Sequence, residues 1–246
     1  MRFALLLLLA FSAAKADPVA DLLSTLSTLH ASTPVRARLN HHFTNQSGEG
    51  QDSKLDEGGV VLEAEEGPAG LTMRWTQDQF VSVSEEDKSK ASAQSKPASA
   101  HPALGSINAG NLHDYLNASA SIEKRLKGAQ LLQDSADTWQ GGPARLLTLK
   151  LDPHLTPRER KYIKNIDTTA RIWLGTDGIP VAADFNLNIK GRILLVITFE
   201  STEKEQFRFS RIGDRLVVTY HSRQGGGSGG GEQGHQQSAT DISILP

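Results

Sequence analysis

The chain has no cysteine. That excludes disulfides, thiolate metal centres and a thiol-linked lipid anchor, so a hydrophobic core alone must hold the fold together. It also lacks a lopsided charge, with 26 basic residues against 28 acidic ones. A balance of this kind does not suit an electrostatic nucleic-acid binder. Metal-ligand spacing is missing as well. No His-x-x-x-His occurs, and the adjacent pair His41-His42 would point to opposite faces of a strand, where the two rings cannot readily chelate one ion. No metal, cofactor or nucleic-acid partner is expected. Beyond the N-terminus, no apolar run approaches the roughly 20 residues that cross a bilayer as a helix.

A catalytic signature is equally hard to find. Gly226-Gly227-Ser228-Gly229-Gly230 formally satisfies G-x-S-x-G, and Gly225, Gly227 and Gly230 satisfy G-x-G-x-x-G. Both motifs need a strand before and a helix after, and no helix is predicted to follow. Glu63, Glu65, Glu66 and Glu200 read as solvated strand edges and faces. The sequons at Asn45 and Asn117 read as chance matches. The expectation is a binding protein, not an enzyme.

What is present begins with "MRFALLLLLAFSAAKADP": a charged start, an apolar stretch and a small-x-small site at Ala14-Lys15-Ala16. It reads as a secretory signal peptide, residues 1–16, leaving one exported domain over 17–246. Its removal takes two of the 26 basic residues and no acid, so 24 would face 28 acidic ones, a net charge of −4. The mature protein is then expected to be exported and soluble.

Asp17-Pro18 suits a helix start, and Val19, Leu22, Leu23, Leu26 and Leu29 follow helical spacing, which predicts a helix over Pro18 to His30. Val35 to Thr44 alternates as a strand. Gly58 to Glu66 and Gly70 to Thr76 form a hairpin around Gly67-Pro68, and Phe80 to Ser84 reads as a short strand. Residues 85–105 are polar and aperiodic and read as a mobile loop. Asn108 to Lys127 reads as one or two helices, Ala129 to Trp139 as a strand, and Leu155 to Lys164 as a short helix or turn.

The C-terminal third reads as hairpins. Asp177-Gly178 is a turn that sets Leu174 opposite Val181. Lys190-Gly191 is read as a second turn, Ser201 to Lys204 as a third, and Gly213-Asp214 as a II′ turn setting Phe209 opposite Val218. The segment 222–237, with its glycine tract, is read as flexible. Ala239 to Leu245 could return as a last strand.

The stretch "VAADFNLNIKGRILLVITFE" frames the central question. Its first half alternates and its second half is apolar on both sides. Under these registers one face carries Ile172, Leu174, Val181, Phe185, Leu187, Ile189, Ile193, Leu195, Ile197, Phe199, Phe207, Phe209, Leu216, Val218 and Tyr220. Trp173, Leu194, Val196 and Val217 interrupt the other face. Two or three short helices do not cover so long an apolar face, so an apolar cavity is expected. Sheltering a sixteen-carbon tail there is worth on the order of 12 kcal/mol at ~0.8 kcal/mol per CH₂.

The order of parts, with "VRARLNHHF", "GGVVLEAEEGPAGLTMRW" and "IWLGTDGIPVAADFNLNIKGRILLVITF", resembles the LolA-like periplasmic lipoprotein carriers. Arg74-Trp75 and the Trp173 to Pro180 turn are the matching features. The resemblance implies a mainly β fold with α: a curved antiparallel sheet or incomplete β-barrel of about eleven strands, with helices covering the concave face. It implies a carrier that moves an acylated lipid or lipoprotein from an inner-membrane donor to an outer-membrane acceptor. The candidate ligand-binding lining is Leu71, Met73, Trp75, Ile172, Leu174, Phe185, Leu187, Ile189, Ile193, Leu195, Ile197, Phe199, Phe207, Phe209, Val218 and Tyr220. Two alternatives remain: an envelope structural or sensor module with a self-filled core and a protein partner, and a secreted hydrolase.

Overall fold

The computed structural model describes residues 17–48, 53–91, 107–193 and 197–246. The expected leader and residues 92–105 of the polar segment fall outside these, as do Ser106, Leu194, Leu195 and Val196. In chain order the elements are α1 (Pro18–Ser27), β1 (Val35–Ser47), β2 (Lys54–Gly67), β3 (Gly70–Trp75), α2 (Gln77–Ala91), α3 (Ala109–Leu116), α4 (Ala118–Leu126), β4 (Gln130–Trp139), β5 (Gly142–Lys150), α5 (Pro157–Arg160), β6 (Ile163–Leu174), β7 (Pro180–Ile193), β8 (Ile197–Ile212), β9 (Arg215–Gly229) and β10 (Glu232–Leu245).

Among the described residues ten strands form one open sheet in the order β3-β2-β1-β10-β9-β8-β7-β6-β5-β4, where about eleven strands were expected. Every neighbouring pair is antiparallel. The last strand slots between β1 and β9, pairing Leu245 with Arg36 at one end and Gly234 with Ser47 at the other. β3 and β4 are the two edges, so the chain between them must cross the sheet. That connection carries α3 and α4. Both pack against β9, and α3 also reaches β2 and β3. α1 packs on α4. Leu22 and Leu26 of α1, Leu112 and Leu116 of α3, and Ile122 and Leu126 of α4 share one buried cluster with Ala37, Leu39, Leu62, Leu147, Leu149 and Ile172 of the sheet.

Helix starts follow their sequence signals. The Asp17 carboxylate accepts from the Val19 N–H (3.0 Å), with Pro18 in the first turn. Asn108 and Asn111 form a reciprocal capping box that opens α3. The sequon residue Ser119 is buried, its hydroxyl donating to Leu29 O.

Six expectations need correction. Phe80 to Ser84 is not a strand. It lies in α2, where Phe80 and Val81 are exposed, so their β preference is never rewarded by burial. Part of the expected 85–105 loop, up to Ala91, belongs to the same helix.

Lys190-Gly191 is not a turn either. β7 runs on to Ile193, and Gly191 pairs with Phe199. A Cβ on Gly191 would lie 2.2 Å from the Phe199 ring and 2.6 Å from Tyr162 O, so the glycine permits close approach instead of reversal. Ser201 to Lys204 sits in the middle of β8, not in a turn.

The segment 222–237 is not a loop. Gly225, Gly227 and Gly229 are paired with Glu203, Ser201 and Phe199 of β8, and the reversal comes at Gly230-Gly231, both at positive φ. Lastly, Leu174 pairs with Pro180, leaving Val181 as an extra residue in a bulge. The Gly213-Asp214 turn does set Phe209 opposite Val218.

Trp173, one of the apolar interruptions of the other face, is covered locally. Its ring lies 5.1 Å from that of Trp139, its indole N–H donates to Asp137 (2.8 Å), and the Arg171 guanidinium lies 5.0 Å from it.

Candidate functional site

β8 carries the sequence Glu203-Lys204-Glu205-Gln206-Phe207-Arg208-Phe209. Because the strand is unbroken, Glu203, Glu205 and Phe207 share a face. Register sets Phe185 of β7 and Arg223 of β9 on either side of Glu205, and His221 beside Phe207. α4 lies over this row, and Arg125 in its last turn pairs with Glu205. A cation there is favoured by the helix dipole. The Arg125 guanidinium also sits 4.7 Å from the Phe185 ring centre and 5.3 Å from that of Phe207. Phe207 stacks on His221 at 4.4 Å and meets Phe185 edge-on at 5.8 Å.

A polar chain runs through this cluster. The His221 Nε2 faces Glu205 at 3.4 Å, and its Nδ1 lies 2.8 Å from the Tyr115 hydroxyl. With an ionised carboxylate beside Nε2, the proton belongs on that nitrogen, and Nδ1 accepts from Tyr115. Burial by itself would raise the Glu205 pKa. The hydrogen bonds from His221 and Arg125 outweigh it and hold the carboxyl down at about 2. His41, on the same side, is buried, and its Nδ1 lies 2.8 Å from the Thr240 hydroxyl. Burial, with His221 and His42 nearby, pushes its pKa down to about 4, so the ring is neutral at pH 7. Arg223 pairs with Glu203 one step along the groove.

Two connected spaces adjoin these residues. A cavity of about 130 Å³ is walled by Tyr115, Ile122, Arg125, Phe185, Glu205, Phe207, Phe209, Val218, His221 and Arg223. An open groove of about 810 Å³ adjoins it, sharing Asn111, Asp114, Ser121, Arg125, Phe185, Glu205 and Arg223. Leu151, Leu155, Ile166, Phe185, Leu187 and Ile189 supply its apolar surface, and Lys124, Asp152, His154 and Glu203 join its polar surface. The groove size falls in the range of roughly 300–1,000 Å³ usual for small-molecule sites.

Of the residues expected to line a ligand site, Phe185, Leu187 and Ile189 meet at the groove, and Phe207, Phe209 and Val218 at the cavity. Ile172 and Leu174 are core residues instead, sealed by their own neighbours. Leu71, Met73 and Trp75 are half-buried against the same core. Ile197 is exposed, and Phe199 covers Gly191 and Gly229; neither lines the groove or cavity. Leu195 and the Ile193 side chain lie outside the described positions.

Tyr220 is on the opposite face. Thr219 is an extra residue between the Arg208–Tyr220 and Phe209–Val218 pairs, and this bulge turns Tyr220 outward, with Arg208 4.7 Å from its ring.

The charged members, Arg125, Glu203, Glu205, His221 and Arg223, were not anticipated. The alternation Glu-x-Glu-x-Phe-x-Phe in β8 signals that they share a face with the aromatics, once no turn is placed at Ser201 to Lys204. Glu66, expected to be solvated, is buried against Arg215 at 3.1 Å. Among the described residues no group of histidines and carboxylates is arranged to hold a metal ion. No helix of the described residues is long and apolar enough to cross a membrane. No family model, curated protein or solved structure matches this chain.

Proposed function

We propose that the protein is a soluble periplasmic carrier whose groove shelters the acyl chains of a lipid or lipoprotein on the way to the outer membrane. The observation that supports this most is the open groove with an apolar floor of Leu151, Leu155, Ile166, Leu187 and Ile189. Leu155, Ile166, Leu187 and Ile189 are only half-buried there, and a soluble chain gains by keeping them from water. In this reading the helices between β3 and β4 lie in the concave side of an incomplete barrel and leave one end open. An inner-membrane donor and an outer-membrane acceptor would load and unload it.

The test is native mass spectrometry and solvent extraction of protein made in a Gram-negative periplasm. Lipid is expected to co-purify with the wild-type chain. Leu187→Asp should reduce it at least tenfold while far-ultraviolet circular dichroism stays unchanged, because the side chain is half-buried on the groove floor. Lipid-free wild-type protein would sink the proposal.

A second reading has its own support. α3 and α4 cover the apolar face at β9, α3 reaches β2 and β3, α1 packs on α4 and β4, and their apolar side chains share one buried cluster with the sheet. A structural or sensor module needs only that filled core. Pull-downs yielding a stable protein partner and no lipid would favour it.

A further inference from the structure

The end of the groove floor where Ile166 pairs with Ile189 is bordered by a run of cations. α5 and the start of β6 read Arg158-Glu159-Arg160-Lys161-Tyr162-Ile163-Lys164, and β7 brings Lys190 and Arg192 alongside. The backbone fixes this placement. Gly191 pairs with Ile163, Lys190 with Asn165, and the Arg192 N–H donates to Tyr162 O (2.8 Å). Arg158, Arg160, Lys161, Lys164 and Arg192 are all exposed. Leu155 joins this patch to the groove, since it lines the groove and its carbonyl accepts from Arg160 Nε (3.1 Å).

The carboxylates nearby are already engaged. Lys190 holds Glu200 (2.9 Å), and Lys150 holds Asp167. Glu159 accepts from the N–H and the hydroxyl of Thr156, and Asp152 from the His154 N–H (2.8 Å). Among the described residues no carboxylate pairs with Arg158, Arg160, Lys161, Lys164 or Arg192. Residues 150–167 and 190–200 together hold seven cations against four carboxylates, whereas the whole chain holds 26 against 28. Positive charge is therefore gathered here, not spread evenly. The fold gives little reason for it. A helix C-terminus favours cations, but α5 has four residues, and Lys164 and Arg192 lie outside it. Arg158 and Lys161 stand three residues apart on one turn, a spacing at which like charges repel.

Two apolar groups accompany the cations. Tyr162 is half-buried, with Lys161 Nζ 6.0 Å from its ring centre. Ile197 adjoins Thr198, the partner of Arg192, and is 39% exposed. A bilayer surface offers phosphates to the cations and hydrocarbon to the apolar pair. A polyanion in solution would use only the cations and leave Ile197 in water.

We propose that this patch docks the protein, peripherally and reversibly, on a lipid surface rich in phosphate-headed anionic lipid. The inference stands whatever the groove holds. A cation close to such a surface is worth about fivefold in partition, so five of them suffice for binding that salt can reverse.

The experiment sediments protein made in a Gram-negative periplasm with two kinds of vesicle: phosphatidylcholine alone, and phosphatidylcholine with an equal part of phosphatidylglycerol. Partition to the anionic vesicles is expected to be at least about tenfold stronger, and to fall at least about tenfold between roughly 0.05 and 0.5 M salt. Changing Arg158→Gln, Lys161→Gln and Arg192→Gln together should cost at least about tenfold with circular dichroism unchanged. Lys54→Gln, Lys88→Gln and Lys204→Gln together make the same change of charge at exposed positions elsewhere and should cost less than about threefold. Equal partition to both vesicles, or none to either, overturns the proposal, and so does an equal loss in the two triple variants. If soluble polyglutamate holds the chain as tightly as the anionic vesicles do at the same salt, the partner is an acidic polymer and the lipid surface is overturned. None of these results touches the carrier reading, which is judged by the lipid extracted from the purified protein.

Discussion

Arg215 is 1% exposed, yet it is charged, so every donor it carries needs an acceptor. It finds them in Thr33 O (2.9 Å), Leu116 O (2.9 Å), Glu66 (3.1 Å) and Ala31 O. Its neighbour Asp214 accepts from the hydroxyls of Ser32 and Thr33 and also from their N–H groups (3.0 and 2.9 Å), and these hydrogen bonds, the hydroxyls' above all, hold its pKa well below the usual range. Together they fasten the segment between α1 and β1 to the β8–β9 turn and to the end of α3. Arg215→Met should cost about 3 kcal/mol, because it takes the donor from Glu66 Oε2, leaving that carboxylate only His113, and from three carbonyls. Urea unfolding followed by fluorescence measures this.

His41 makes stability depend on pH. Its folded pKa is lowered to about 4 by burial and by His221 and His42, against an unfolded value near 6.5. Between those values the unfolded chain binds a proton that the folded chain refuses. Stability is therefore expected to fall as pH drops from about 6.5 to 4, by on the order of 1 kcal/mol from this residue. Glu205 adds to the loss below about 4.5, since its lowered pKa favours the fold only while the carboxylate is ionised. His41→Asn should flatten the upper part of the profile and leave the lower part. Thermal melts over pH 2 to 7 decide it.

At the scale of elements, the glycines of β7 and β9 show why local reading failed where it did. Glycine next to lysine is a turn signal, and so is a polar run such as Glu200 to Glu205. In the sheet, Gly191 and Gly229 make room for Phe199, and the polar run lines a groove on one face and meets water on the other. Gly191→Ala is expected to destabilise by about 1–3 kcal/mol through overpacking. Trimming Phe199 to Ala in the same chain should restore only part of this, since Tyr162 O also stands 2.6 Å from the new methyl. A double-mutant cycle in urea gives the split. Where the signal is chemical and local, the sequence was legible: the Asp17 cap, the turn region at Asp177-Gly178, the reversal at Gly213-Asp214, and the alternating β1.

Across the whole molecule, β10 is the piece whose position carries the greatest consequence. It is last in the chain but interior in the sheet, pairing with β1 and β9 and burying Thr240 and Ile242. A chain ending after Gly229 should therefore fail to fold cooperatively, since it leaves two strand edges bare in the middle of the sheet. Amides of 222–228 should exchange slowly with deuterium, as those of a ladder do and those of a linker do not. A folded truncated chain with native circular dichroism would overturn both expectations.

The sequence by itself determined that this is a mainly β chain without disulfides, where its first helix begins, which strand residues alternate, and that an aromatic and aliphatic set would gather on one face. These follow from backbone chemistry and period, which act over a few residues. Only the tertiary structure decided that β8 runs unbroken, that the glycine tract is strand, and that Arg125 of α4 meets Glu205, His221 and Arg223 at the head of a groove. Those outcomes depend on partners far along the chain: Phe199 over a glycine, β10 returning between β1 and β9, and a helix laid across the sheet because its connection must reach the far edge. No window of neighbouring residues contains that information, since the free energy that fixes it is released only when the distant surfaces meet.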